Sequence, residues 1–226
     1  MSKNYKLIVI EGVDASGKQT QSDLLYAHLC SDGVSAAKIG FPNYDSASSA
    51  LVKMYLNGDF GTDAEAINPY AASAFFAVDR VASIFGDWRE KIENSDVVIA
   101  DRYVTSNMIH QASKIKNEAE KSAFLDWLYD FEYEKLKLPK PNLVIFLDMP
   151  AESAMELMKK RPNKIDMSDV KDIHESDFGY LKSSYDNAVS VAKRCDWKTV
   201  RCVKDGSIRT ADDIADEIYG MVKSVL

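Results

Sequence analysis

Glu11-Gly12-Val13-Asp14-Ala15-Ser16-Gly17-Lys18-Gln19-Thr20 follows the apolar run Leu7-Ile8-Val9-Ile10 and precedes Asp23-Leu24-Leu25-Tyr26-Ala27-His28-Leu29. Strand, glycine turn and helix, in that order, are the context a phosphate-binding loop requires. Gly12 and Gly17 bracket four residues, and Lys18 follows directly. Glycines let the backbone wrap tightly and aim several N–H groups at one anion. The next helix adds the positive end of its dipole, and Lys18 supplies a point charge for the outer phosphates. Gly12, Val13, Asp14, Ala15, Ser16, Gly17, Lys18, Gln19 and Thr20 are therefore candidates for holding a nucleotide's phosphates. Such a string also arises by chance, and glycine is common between strands and helices. The flanking strand and amphipathic helix favour the phosphate reading. The full pattern asks for Ser or Thr after the lysine, where Gln19 stands.

Working outward, 226 residues suit one α/β domain and are short for two. With 46% of residues hydrophobic, the chain is expected to be globular. No apolar run reaches the length of a membrane span, and the N-terminus lacks a signal-peptide pattern. Cys30, Cys195 and Cys202 have no paired metal-ligand spacing and read as reduced thiols of a cytoplasmic protein. A net charge of −7 argues against general affinity for nucleic acid or anionic membranes. An anionic ligand then has to meet a local basic pocket.

Short apolar runs predict strands over 5–10, 34–39, 97–100, 143–147 and 199–203. Helices are expected over 17–31 and 50–56, the second capped by Ser46 or Ser48. Asn68-Pro69 opens a long helix expected to reach about residue 94. Further helices are expected over 106–115, 118–136, 151–160 and 172–194, and from the cap Thr210 to the C-terminus. Strands alternating with helices predict a parallel sheet covered on both faces, in a single domain over 1–226.

Asp101-Arg102-Tyr103 directly follows a predicted strand. A carboxylate there can hold Mg²⁺ beside a phosphate loop, and Arg102 can clamp a phosphate. Strand ends are also often polar without any such role. Phe76 and Arg80 lie four apart on the long helix and share a face. They can stack on and hydrogen-bond to a planar base, or belong to an ordinary core. Lys159-Lys160-Arg161 before Pro162 either complements a helix dipole or forms a basic flap over phosphates, at about 159–172. Asp172-Ile173-His174-Glu175 reads as ordinary first-turn residues of the next helix. His28, His110 and His174 share no metal-ligand spacing, and covalent catalysis is not indicated.

Taken together, these stretches resemble the thymidylate kinases, nucleoside monophosphate kinases of the P-loop class. The resemblance spans nearly the whole chain. It rests on Ile10-Glu11-Gly12-Val13-Asp14 leading into Gly17-Lys18, on Phe41-Pro42, and on Phe76-Ala77-Val78-Asp79-Arg80. It continues through Asp101-Arg102-Tyr103 with Ser106 and Gln111, and through the basic stretch before Asp172-Ile173-His174-Glu175. It implies a three-layer P-loop NTPase fold with about five parallel strands, and transfer of the γ-phosphate of ATP to dTMP with Mg²⁺. It also implies roles for individual residues. Phe76 would stack on thymine and Arg80 would donate to a base carbonyl. Arg102 would hold the acceptor phosphate, Asp101 would support the metal, and Asp14 would approach the sugar or acceptor phosphate. Lys18 would follow the transferring phosphoryl group, and Arg161 would reach ATP when the flap closes. Phe41, Pro42, Ser106, His110 and Gln111 would line the acceptor site. The family is usually homodimeric, which suits the apolar helix from Asn68.

This sequence departs from the family pattern in four places. Gln19 removes the usual loop hydroxyl from the metal, which shifts weight to Asp101 and water. Ala15 stands where some members carry an arginine, which shifts charge stabilisation to Lys159, Lys160, Arg161 or Lys164. Tyr44 stands where many have an arginine after Phe-Pro, and His110 where an aromatic is common. Two rival functions remain at this stage: a deoxynucleoside kinase with an uncharged acceptor, and a P-loop regulatory module with no second substrate.

Overall fold

The computed structural model describes residues 5–61, 63, 66–158 and 178–226. Five strands, β1 (Lys6–Glu11), β2 (Ala36–Gly40), β3 (Val97–Asp101), β4 (Leu143–Asp148) and β5 (Lys198–Arg201), form one sheet in the order β2-β3-β1-β4-β5. Every neighbouring pair is parallel. The connections carry α1 (Lys18–Ser31), α2 (Ala50–Leu56), α3 (Pro69–Ala82), α4 (Arg89–Glu93), α5 (Val104–His110), α6 (Glu118–Tyr129), α7 (Ala151–Met158) and α8 (Phe178–Arg194), and α9 (Ala211–Lys223) closes the chain.

Strand β1 explains the layering. Ile8 and Ile10 join a core with Leu25 and Leu29 of α1 and Ile214, Ile218 and Val222 of α9. Leu7 and Val9 point the other way, into a second core with Met108 of α5 and Phe124 and Leu128 of α6. Alternation puts successive side chains on opposite faces, and both faces are covered, so the strand reads as a continuous apolar run. Each fully buried Ile or Leu stabilises the fold by about 1.5–3 kcal/mol. This is the expected three-layer, five-stranded P-loop arrangement.

The sheet delivers its functional residues at one edge. In open α/β sheets ligands bind outside the carboxyl ends of the strands. Here β1, β2 and β3 end together: Phe41 N–H donates to Asp101 O at 3.0 Å, and Arg102 N–H donates to Ile10 O at 3.2 Å.

Several boundaries differ from expectation, each for a local reason. β1 continues through Glu11, whose strand backbone pairs opposite Phe146 of β4. The helix from Asn68 starts as expected, with Asn68 Oδ1 accepting from Ala71 N–H and Pro69 at its first position. It does not run unbroken to residue 94. A π-helical turn over Ser83–Asp87 separates α3 from α4. The one-residue surplus of a π turn makes Ile84 and Ile92, eight apart, behave like positions seven apart, and both reach the same core. The helix expected over 106–115 begins earlier, at Val104, and ends at His110, followed by a 3₁₀ turn over Ala112–Lys114. The final strand ends at Arg201. Val203–Lys204 instead pairs antiparallel with Ser207–Ile208 around Asp205-Gly206. The expected helical residues 159–160 and 172–177 lie outside the described residues. No described helix is long and apolar enough to cross a membrane.

Candidate active site

The loop between β1 and α1 curls around its own lysine. Lys18 Nζ is buried and donates to Gly12 O at 3.0 Å and Val13 O at 2.7 Å. A Cβ at Gly12 would lie 2.5 Å from Ser16 Oγ and 3.1 Å from Leu147 O, so only glycine fits the turn there. Gly17 sits at φ 91° with open space around it, so its requirement is conformational rather than steric. Ala15 holds φ 58°, a left-handed conformation that costs an L-residue energy and collects at functional sites. Gln19 and Thr20 are exposed on the first turn of α1. Ser16 Oγ is buried without a hydrogen-bond partner among the described residues, so a donor-and-acceptor group stands ready inside the loop.

Behind the loop lies a buried carboxylate. Glu11 accepts from Gly12 N–H at 3.0 Å, from Thr105 Oγ1 at 2.8 Å, and from Ser106 Oγ at 2.9 and 3.0 Å. This fixes the loop's first residue to α5. Arg102 reaches the same place from β3. Its Nη2 pairs with Asp14 Oδ1, and its Nη1 lies 3.3 Å from Ser106 Oγ, 3.0 Å from His110 Nε2 and 3.8 Å from Glu11 Oε1. Burial works against the guanidinium charge, but Asp14, then Glu11 and Asp101, more than offset it and raise its pKa. Arg102 also adopts φ 67°, a conformation that strand-end geometry must hold in place. The half-buried Asp101 ends β3 beside it.

On the side of α3, Phe76 packs edge-on against Tyr55, with centroids 6.0 Å apart and planes at 89°. It belongs to a small cluster with Val52, Leu56 and Ala72 and is only partly buried. Arg80, one turn on, is 1% exposed. Its Nε and Nη2 donate to the two carboxylate oxygens of Glu132 at 2.6 and 2.5 Å. This qualifies the expectation of a guanidinium presented to a base, since two of its three nitrogens are committed to the protein. Asp79 turns the other way. It accepts from Asn43 N–H at 2.9 Å and Ser48 Oγ at 2.6 Å, and so fastens the Phe41-Pro42-Asn43 loop to α3. Phe41 itself is buried against Trp88 and Tyr103. His110 stacks on Tyr180 of α8, with centroids 6.2 Å apart and planes at 21°. Gln111 is buried, and its Oε1 has no partner among the described residues.

A phosphate loop, an arginine at the end of the adjacent strand and an aromatic–arginine pair on a neighbouring helix thus converge at one end of the sheet. Residues 10–204 match the family model described as thymidylate kinase. The chain belongs to the thymidylate kinase family. It is 35% identical over 173 residues to the thymidylate kinase of Mycobacterium tuberculosis, covering 76% of this chain and 78% of that protein. A probable thymidylate kinase of Thermococcus onnurineus is 25% identical over 221 residues, 97% of this chain and 98% of that one. A probable thymidylate kinase 1 of Saccharolobus solfataricus is 31% identical over 155 residues, 68% and 70% of the two chains.

Within this thymidylate kinase fold, Gly12 to Gly17 lie between β1 and α1, Lys18, Gln19 and Thr20 open α1, Asp101 ends β3 with Arg102 directly after it, and Ser106, His110 and Gln111 lie on α5 or directly after it. Phe76 and Arg80 lie on α3. Arg161, Lys159, Lys160, Lys164 and Asp172 to Glu175 lie outside the described residues. Three contributors were not singled out from sequence: the Glu11 carboxylate, Thr105 and Glu132. Glu11 and Thr105 stand in stretches that carried a motif. Glu132 had one available signal, an acidic residue at a core position of a helical pattern that includes Leu125 and Leu128.

Proposed function

We infer that this chain transfers the γ-phosphoryl group of ATP to dTMP, giving dTDP and ADP. The observation that carries this is family membership across residues 10–204 together with a phosphate loop and an arginine meeting at Asp14. In the proposed reaction an oxygen of the dTMP phosphate attacks the γ-phosphorus in line. A new P–O bond forms as the bond to the β-phosphate oxygen breaks, and ADP leaves with that electron pair. Little acid–base chemistry is needed; positioning and charge stabilisation do the work.

Each residue then has a task. The loop from Gly12 to Thr20 wraps the ATP phosphates with backbone N–H groups, and Lys18 exchanges the Gly12 and Val13 carbonyls for phosphate oxygens. Arg102 receives the acceptor phosphate through Nη1, which lies beside Ser106 Oγ and His110 Nε2, with Glu11 Oε1 3.8 Å away. Asp14 keeps Arg102 oriented toward the loop. Phe76 offers its partly exposed ring to the base, beside Arg80 and Gln111. Phe41 and Pro42 form the wall fixed by Asp79. Arg161 closes over ATP.

Mg²⁺ suits this set of residues. Such an ion is carried on phosphate oxygens with one or two protein carboxylates, and a half-buried carboxylate ends β3 beside the loop. Asp101 is the carboxylate that would hold it, and the ion would neutralise charge on the β- and γ-phosphates. Glu11 is already committed to three donor groups and Asp14 to Arg102.

The protein is proposed to be a cytoplasmic homodimer. Its three cysteines are free thiols, as a reducing compartment keeps them. Val78 and Phe85, 53% and 49% exposed on the outer side of α3 and its π turn, suit burial against a second copy. Offering thymidine and dTMP side by side with ATP and Mg²⁺ tests the reaction. Product from dTMP alone supports it, and product from thymidine alone assigns the protein to the nucleoside kinases instead.

A further inference from the structure

Glu132 lies on a π-helical turn over Asp130–Lys135 and is fully buried. Its carboxylate is the meeting point of two helices that flank the acceptor site. From α3, Arg80 donates through Nε and Nη2 in a side-on, two-bond arrangement. From α5, Asn107 Nδ2 donates to the same Oε1 at 3.2 Å and to Ser73 O at 3.4 Å.

These bonds fix more than position. A guanidinium held at Nε and Nη2 keeps one edge for the carboxylate and leaves the N–H groups of Nη1 for another acceptor. An amide whose nitrogen faces two acceptor oxygens has only one sensible orientation. The Asn107 Oδ1 therefore faces away from Glu132 as an acceptor. One buried carboxylate thus presents a donor from Arg80 and an acceptor from Asn107. A thymine or uracil ring carries a carbonyl acceptor at C4 beside an N–H donor at N3. A cytosine ring carries the reverse, an amino donor beside a bare nitrogen acceptor.

We propose that Glu132 is a positioning residue that sets the base preference of the acceptor site, by fixing the donor edge of Arg80 and the amide orientation of Asn107 so that a 4-keto pyrimidine is accepted and a 4-amino pyrimidine rejected. This rests on the reading of the protein as a dTMP kinase. It extends that reading to a residue outside the site, which acts through two others.

The test compares wild type with Glu132→Gln, using dTMP, dUMP and dCMP as acceptors at saturating ATP, and titrating ATP separately. A glutamine keeps the shape, but it removes the charge and offers an N–H to at least one of the donors. Loss of a hydrogen bond to a charged group corresponds to roughly 10- to 100-fold. The KM for dTMP and for dUMP is expected to rise by that factor, with the KM for ATP within about twofold of wild type. The dTMP-to-dCMP preference is expected to fall by a similar factor, which a merely structural role would not produce. Thermal melting shows whether the variant folds. If it does not, Glu132→Asp, which keeps the charge on a shorter arm, carries the same comparison. A folded variant with unchanged dTMP KM and unchanged preference overturns the inference alone. So does a variant whose KM values for dTMP and ATP rise together while the preference holds. A wild-type enzyme that leaves dTMP unphosphorylated overturns the reaction itself, and the inference with it.

Discussion

Arg102 and Asp14 form an ion pair that ties the end of β3 to the phosphate-binding loop between β1 and α1. Glu11 stands behind it, 3.8 Å from Arg102 Nη1. Arg102, proposed to hold the acceptor phosphate, and the loop proposed to hold ATP are therefore one electrostatic unit. Because surrounding carboxylates raise the Arg102 pKa above an already high value, its charge does not titrate in the range where proteins are folded.

Arg102→Lys keeps the charge but loses the planar fork that can hold Asp14 and a phosphate together. The kcat/KM for dTMP is expected to fall by about 10²- to 10³-fold, the order associated with losing one preorganised charge-stabilising donor. The KM for ATP is expected to stay near wild type, which steady-state kinetics with each substrate varied in turn will measure.

Lys18→Ala removes the cation proposed to follow the transferring phosphoryl group. Lys18 Nζ donates to two backbone carbonyls of its own loop, and the fold is expected to persist with a normal circular-dichroism melt. Turnover is expected to fall by roughly 10³-fold or more. A well-folded variant with near-normal turnover would remove the loop from the mechanism.

Gly12→Ala places a methyl group 2.5 Å from Ser16 Oγ and 3.1 Å from the Leu147 carbonyl. The backbone of β4 cannot yield easily, so the loop must shift. A loss of about 1–3 kcal/mol in stability is expected from such overpacking. Chemical denaturation and ATP titration will read the stability and the weakened nucleotide binding together.

Burial pushes the Cys202 thiol up to about 12, and Cys30 and Cys195 are exposed. A thiol reagent at pH 8 is expected to modify Cys30 and Cys195 in the native protein and Cys202 only after unfolding. The sign for stability follows from linkage. The unfolded thiol ionises at about 8.5 while the folded one stays protonated. Between those two values stability is expected to fall as pH rises, and Cys202→Ala is expected to flatten that slope in melts at pH 8 and pH 10.

Much of the fold was legible in the sequence because its signals are local. The apolar run of β1, the glycine turn and the Asn68-Pro69 cap each depend on a few adjacent residues. The same locality made the loop, Asp101 and Arg102 readable as site residues. The π turn at Ser83–Asp87 was not readable, because only the shared core of Ile84 and Ile92 requires it. The hairpin at Asp205-Gly206 was not read: the expected final strand took in Val203, its first residue, and each of its arms is only two residues long. The pairing of Glu132 with Arg80 was illegible for another reason. The two meet across 52 positions, and nothing in either neighbourhood announces the other. Arg80 was therefore read as either a donor to a base or a core residue, and its tie to Glu132 through two of its five N–H groups was missed.

The most direct measurement is a panel of nucleoside monophosphates offered with ATP and Mg²⁺, with products identified by chromatography and mass. A dTMP kinase built on this site will give the highest kcat/KM with dTMP, yield dTDP and ADP in equal amounts, and leave thymidine untouched. Nucleotide binding without diphosphate from any monophosphate, or a purine monophosphate as the best acceptor, would contradict it.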